Sequence, residues 1–247
     1  MTKWKWACAL AALLIATESL AIGPEVKLEK ADIDPGNIAS LQRGARNFMN
    51  YCSGCHSARY VRFNTIGKRL ELSDEQLIKN LMFNADKTFE TINASMKPED
   101  ATRWYGKAPP DLSLMARAKG ADYIYTFLKS FYIDPSRPTG VNNIVLPSTA
   151  MPDVLWKLQG YQDAVFTEHT VEGATEKKFE HFEQKIPGQL DEKDYDAFVR
   201  DTVNFLAYIS EPIRAERRKL GVWVLMFLGV FFIIASMLKK QIWKDVK

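Results

Sequence analysis

Residue types that can ligate or covalently hold a cofactor fall together in one short stretch, Cys52-Ser53-Gly54-Cys55-His56. The pattern is C-x-x-C-H, the signature of haem attachment. At helical spacings of i, i+3 and i+4 both thiols and the imidazole share one face. Each cysteine can then form a thioether to a haem vinyl group while His56 binds the iron. These residues imply one covalently bound haem c. Other chemistries suit them less well. A zinc site needs about four ligands, but the third cysteine, Cys8, sits in an N-terminal apolar run, and the remaining histidines, His169 and His181, stand twelve positions apart. A thioredoxin-like pair needs a βαβ setting, whereas the preceding segment reads as helix, and a short-range disulfide leaves the adjacent histidine unexplained.

Several elements must position this motif. Leu41, Ala45, Phe48, Met49 and Cys52 recur at helical spacing, and Gly44 on the same segment lets another helix pack closely. A second axial ligand must come from elsewhere. Context favours Met151, which precedes Pro152 and follows a Pro/Gly/Asn-rich run over residues 134–147, as suits a thioether presented from a loop. Met82 and Met115 lie in helical patterns and Met96 in a polar stretch; on pattern alone these three and the two other histidines remain alternatives. Residues 72–82 read as a helix capped by Ser73, and residues 121–132 as a helix offering Tyr123, Phe127 and Tyr132 to a haem pocket, although core packing is the plainer role for each. Between them, Ala108-Pro109-Pro110-Asp111-Leu112-Ser113 forms a rigid turn. Its Asp111 or Ser113 can cap the next helix, and a proline carbonyl there can accept from the ring N–H of His56. Residues 154–166 read as strand and mark an insertion; residues 195–209 form the last helix of the head.

The hydrophobicity is concentrated at the two ends. Residues 1–21 carry Lys3 and Lys5, an apolar run and a small-residue site at Ser19-Leu20-Ala21, the pattern of a secretory signal peptide that takes Cys8 with it. Residues 220–238 contain no charge and make a helix of about 28 Å, enough to cross a bilayer. Cations flank this span on both sides, so the positive-inside rule does not orient it. The export signal does, placing a head (residues 22–213) outside and the short tail of a 214–247 anchor in the cytoplasm. The net charge of +3 then separates into a basic anchor and a head of −4, and residues 163–201 alone hold eleven acidic against five basic side chains. Such a head steers basic partners and argues against nucleic acid. With 47% hydrophobic residues and three cysteines the chain is neither disordered nor a disulfide-built miniprotein, and its mean hydropathy of −0.22 excludes a polytopic membrane protein.

Four longer segments carry a specific resemblance: CSGCHSARYVRFNTIG (52–67), APPDLSLMARAKGADYIYTFL (108–128), STAMPDVLW (148–156) and FLAYISEPIRAERRKLG (205–221), followed by one membrane helix. Over nearly all of the mature chain, in order, they resemble the cytochrome c1 family, the haem-bearing subunits of the cytochrome bc1 complex. The resemblance implies a mainly α, cytochrome c-type haem domain with insertions plus one C-terminal transmembrane helix. It implies thioethers at Cys52 and Cys55, axial ligation by His56 and Met151, and haem-pocket contacts from Pro110 and Tyr123. Family members can carry an arginine near a haem propionate where this sequence has Lys119, with Arg117 as a substitute cation. The implied role is non-catalytic electron transfer from the Rieske iron-sulfur protein to a cytochrome c, in a dimeric complex with cytochrome b, at the bacterial inner membrane with the head in the periplasm. Two other readings differ in class: a membrane-anchored c-type cytochrome of another electron-transfer pathway, and a haem-based peroxidase or sensor, which requires an open or displaceable iron ligand. The acidic segment 163–194 is longer than the family leads one to expect, and no functional residue is carried over from it.

Overall fold

The computed structural model describes residues 26–171 and 174–245; the signal-peptide reading of residues 1–21 lies outside them. Helix α1 (Ile38–Tyr51) starts where the Asn37 side chain accepts from the Ser40 amide, and buries Leu41, Gly44, Ala45, Phe48 and Met49 along one stripe. Helix α8 (Glu192–Ser210), capped by Asp191 through the Asp194 amide, buries Val199, Val203 and Phe205. The two helices cross at Gly44. A Cβ there would stand 2.0 Å from the Asp201 carbonyl oxygen and 2.8 Å from Phe205 Cβ, so the missing side chain is what permits the approach. Around that crossing Phe48 packs on Phe205 with ring centroids 5.7 Å apart. Asn47 donates to the Phe198 carbonyl and to Thr202, while Ser40 and Arg43 both donate to Asp201.

Between these helices the chain forms β1 (Ala58–Arg62), α2 (Phe63–Arg69), α3 (Asp74–Leu81), β2 (Thr91–Ile92), α4 (Pro98–Tyr105), α5 (Met115–Lys119), α6 (Ala121–Lys129), β3 (Phe131–Ile133), β4 (Val141–Asn143), α7 (Trp156–Gln159), β5 (Gly160–Val171) and β6 (Ala174–Pro187). The strands form three separate antiparallel pairs, β1 with β2, β3 with β4 and β5 with β6, set around a helical core. Helix α3 has the expected start: Ser73 accepts from the Gln76 amide while the Gln76 side chain accepts from the Ser73 amide.

Three expectations shift. The 121–132 helix stops at Lys129, and the aromatic and β-branched Phe131, Tyr132 and Ile133 pair instead with Asn143, Asn142 and Val141. Residues 154–159 are turn and short helix; strand begins at Gly160, where φ is 89° and a Cβ would lie 2.1 Å from the Ile186 carbonyl oxygen. From there β5 and β6 pair as a long antiparallel hairpin through the acidic segment. The final helix α9 (Arg214–Ile242) extends beyond the 220–238 span, and its segment Glu216–Ile242 is long and apolar enough to cross a membrane, with none of its most apolar stretch covered by the rest of the chain.

The crossing predicts a specific sensitivity. Gly44→Ala should destabilise the head by about 1–3 kcal/mol as α1 and α8 are forced apart, read as a lower midpoint in thermal unfolding of the detergent-solubilised protein; an unshifted midpoint would show that the approach is not constrained.

Candidate haem site

The C-x-x-C-H segment lies in the turn that ends α1, where a continuing helix was expected. Cys52 is the C-cap, its amide and that of Ser53 both donating to the Phe48 carbonyl, and the His56 amide returns to the Cys52 carbonyl at 2.8 Å. That last bond is an i to i+4 contact, so the turn keeps the spacing that groups the two sulfurs and the imidazole. The Ser53 hydroxyl donates to the Met49 carbonyl, and the amides of Ser95 and Met96 donate to the carbonyls of Ser53 and Gly54. Met96 therefore clamps the motif through its backbone.

A cavity of about 260 Å³ opens beside this turn. Its floor is Cys52, Cys55 and His56; α5 contributes Met115 and Lys119, α6 contributes Tyr123 and Phe127, the loop before α7 contributes Met151 and Pro152, and α8 contributes Phe198, Thr202 and Leu206. All seven residues expected at the site, Cys52, Cys55, His56, Pro110, Lys119, Tyr123 and Met151, line this one cavity. Arg117 does not line it, and Tyr132 packs on Phe166 of the hairpin, ring centroids 6.0 Å apart. Met82 is buried in the core, so the lining sulfurs outside the motif are those of Met151 and Met115. The α8 contribution was not foreseen as part of the site. Its signal was present in the 198, 202, 206 spacing, but that spacing only says that a face is buried, not against what.

The polar details suit a metal-binding imidazole. His56 Nδ1 lies 2.8 Å from the Pro110 carbonyl oxygen, and with the N–H there the Nε2 lone pair is left for a metal. Burial lowers the imidazole pKa against that hydrogen bond and the nearby Asp111, which favours the neutral, ligating form. Burial, with a smaller effect of Cys55, pushes the Cys52 thiol up to about 12, and burial also raises the Cys55 thiol. A dithiol redox centre needs the opposite, a thiol acidified toward thiolate. Lys119 Nζ sits 5.6 Å from the centre of the Tyr123 ring, one of two lysines, with Lys107, on a mostly apolar lining. Asp111 and Ser113, expected to cap α5, turn toward β1: Asp111 accepts from Ser57 and Arg59, and Ser113 from the Tyr60 amide. Helix α5 has Leu114 at its N-cap position and so no side-chain cap.

Two thiols, a neutral imidazole and a thioether around an apolar cavity fit a covalently bound haem, and the head leads into a helix able to span a bilayer: the class is that of membrane-anchored c-type cytochromes. The chain matches the Cytochrome C1 family over residues 33–246, and it belongs to that family. It is 47% identical over 234 residues, 95% of this chain and 96% of the relative, to a protein named cytochrome c1 from Allochromatium vinosum. It is also 40% identical, over 96% of each chain, to one named ammonia monooxygenase gamma subunit from Nitrosomonas europaea. At greater distance it is 26% identical to the mitochondrial cytochrome c1 haem protein of Saccharomyces cerevisiae, over 85% of this chain and 68% of that one. The cofactor of the family is covalently bound haem c, and Cys52 and Cys55 stand in the matching motif.

One carboxylate near the cavity is out of its element. Burial raises Asp153 from 3.8 to about 6, opposed only by the Leu155 amide that donates to it. Because the native pKa lies above the unfolded one, the unfavourable burial is absent below about pH 4, builds as the unfolded chain ionises and is complete above about pH 6. Asp153→Asn, which can still accept from Leu155, should match the parent near pH 4 and exceed it by about 1–3 kcal/mol at pH 7, measured by denaturant unfolding across that range. A constant difference between the two proteins would contradict the burial.

Proposed function

We propose that this protein is the haem c subunit of a cytochrome bc1 complex, passing single electrons from the Rieske iron-sulfur protein to a cytochrome c. One observation carries this reading: His56, with its second nitrogen occupied by the Pro110 carbonyl, and Met151 line the same apolar cavity as the two cysteines. A haem held there supplies a one-electron iron couple. Cys52 and Cys55 retain it covalently, which suits a cofactor exposed to a large exported volume. His56 would ligate through Nε2 with its ring fixed by Pro110, and Met151 would contribute a thioether, a ligand that raises the reduction potential. With His56 and Met151 both holding the iron, the protein would leave no ligand position for a substrate, which suits electron transfer and not bond chemistry. Tyr123, Phe127 and Leu206 would exclude water from a haem in this cavity, and Lys119 would offer a cation to a propionate.

The remaining assignments follow the family. Cytochrome b and the Rieske protein are the membrane partners in a dimeric complex. Helix α9 is the single-pass anchor in the inner membrane, and residues 22–213 form the periplasmic head with the C-terminal tail in the cytoplasm. The acidic head supports a basic acceptor cytochrome, with a rate of reduction that falls as ionic strength rises. The name of the Nitrosomonas relative favours a second reading, an anchored c-type cytochrome serving another electron-transfer pathway. Mild detergent purification with subunit identification separates the two: cytochrome b and the Rieske protein should accompany the chain, and their absence from a spectrally intact preparation would favour the second.

Ligation is tested on the same material. Met151→Leu should leave the haem covalently attached but convert the reduced protein to a form that binds carbon monoxide readily, whereas Met115→Leu should not. If Met115→Leu alone opened the iron, the sixth ligand would be Met115; ready carbon monoxide binding by the unmutated protein would favour a peroxidase or sensor.

A further inference from the structure

Two segments distant in the chain are laced together directly beside His56. Asp111 Oδ2 accepts from the Ser57 hydroxyl at 2.8 Å and the Arg59 amide at 2.9 Å, while its Oδ1 accepts from the Ser113 amide at 2.8 Å. Ser113 Oγ accepts from the Tyr60 amide at 3.1 Å, and the Leu112 amide donates to the Ser57 carbonyl at 2.8 Å. The two serines of the clasp are buried, Ser57 6% and Ser113 0% exposed, while Asp111 is half-buried. Immediately before its two halves in the chain stand the partners of one further bond, His56 before Ser57 and Pro110 before Asp111, joined at 2.8 Å through Nδ1 and the carbonyl oxygen. Pro110 and Leu112 line the cavity, but Asp111 between them does not.

We propose that Asp111 is a positioning residue for His56: its carboxylate holds residues 57–60 against residues 111–113 and thereby sets the hydrogen bond from the imidazole to the Pro110 carbonyl. The proposal rests on His56 being an iron ligand. The chemistry of a backbone carbonyl is the same whatever side chain its residue carries, so its aim is determined by what anchors the chain on either side. On one side Pro109 and Pro110 restrict the backbone through their rings; on the other the anchor is Asp111. A carbonyl held on the second ring nitrogen orients the imidazole and makes it a more basic ligand. A more basic ligand favours the ferric state, and a carboxylate nearby acts in the same direction. Loss of Asp111 should therefore make the haem easier to reduce.

The test uses the full-length, haem-loaded protein in detergent, comparing Asp111→Asn and Ser57→Ala with the parent. Three measurements are made: equilibrium reduction potential, low-temperature electron paramagnetic resonance of the ferric haem, and thermal stability. Asn has one acceptor oxygen where Asp111 uses two, so it breaks the clasp and removes the charge; Ser57→Ala removes one donor and leaves the carboxylate in place. Asp111→Asn should shift the reduction equilibrium about three- to tenfold toward the ferrous form, tenfold being about 59 mV for one electron. Ser57→Ala should give a smaller shift of the same sign, and both variants should move the ferric g values. Lower thermal stability with parental potential and g values would overturn the proposal, because a purely structural clasp has that outcome. A shift in Asp111→Asn with none in Ser57→Ala and unchanged g values would also overturn it, leaving only a through-space charge effect. Where Asp111→Asn does not fold or load haem, Ser57→Ala decides by the same two criteria. A His56→Ala variant that kept the parental low-spin spectrum would remove the ligand assignment itself, an outcome separate from those of the clasp variants.

Discussion

Gly44 lets α1 lie against the Asp201 carbonyl of α8, and most of the head takes its position from that contact. Helix α1 ends in the turn that carries the two cysteines and His56, and α8 supplies Phe198, Thr202 and Leu206 to the far side of the same cavity. Moving one helix on the other would change the depth of the cavity as well as the packing of Phe48 on Phe205. The crossing is also polar at its centre. Ser40 and Arg43 donate to Asp201, and Asn204 donates to Ser40 and to the Asp34 carbonyl, which ties in the chain before α1. Buried groups with partners of this kind specify one register, because sliding either helix would strand them unpaired at a cost of about 1–3 kcal/mol each.

The chain before α1 and the β5–β6 hairpin attach to this frame from outside. Glu29 and Asp196 pair with Lys129 at the end of α6, and Lys30 and the Ala31 amide bind Asp122 at its start. The exposed pair of Lys30 and Asp122 is worth little by itself; the amide of Ala31 on the same carboxylate makes the attachment directional. The hairpin of β5 and β6 joins the head through β3 and through Gln162, which donates to the carbonyls of Lys129 and Phe131. It also meets the short α7, where Tyr161 stacks on Trp156 with ring centroids 5.4 Å apart.

Much of the site was legible because its chemistry is local. The motif, the turn prolines and the run before Met151 each fall within a few residues, and their types restrict what they can do. What misled was continuity across an element boundary. Tyr132 groups with Tyr123 as if one helix carried both, but nine residues would set them on opposite helix faces, and the chain leaves the helix at Ser130 to pair with Val141–Asn143, so that ring turns to the hairpin. Asp111 and Ser113 have the composition of helix caps, and their oxygens were claimed instead by amides more than fifty positions earlier. Met115 reads as a core residue in a helical pattern, yet it borders the cavity because α5 is only a turn and a half long and lies along it.

By itself the sequence determined the covalent chemistry, the mainly helical class and the membrane span, because these depend on residue types at short spacing and on apolar length. Only the tertiary structure decided which sulfurs border the cavity, which carbonyl occupies His56 Nδ1 and that α8 closes the pocket. Those are contacts between segments separated by fifty to one hundred and fifty positions, and no local pattern encodes them. The closing of the pocket by α8 depends on Gly44, which admits that helix to within backbone contact of α1.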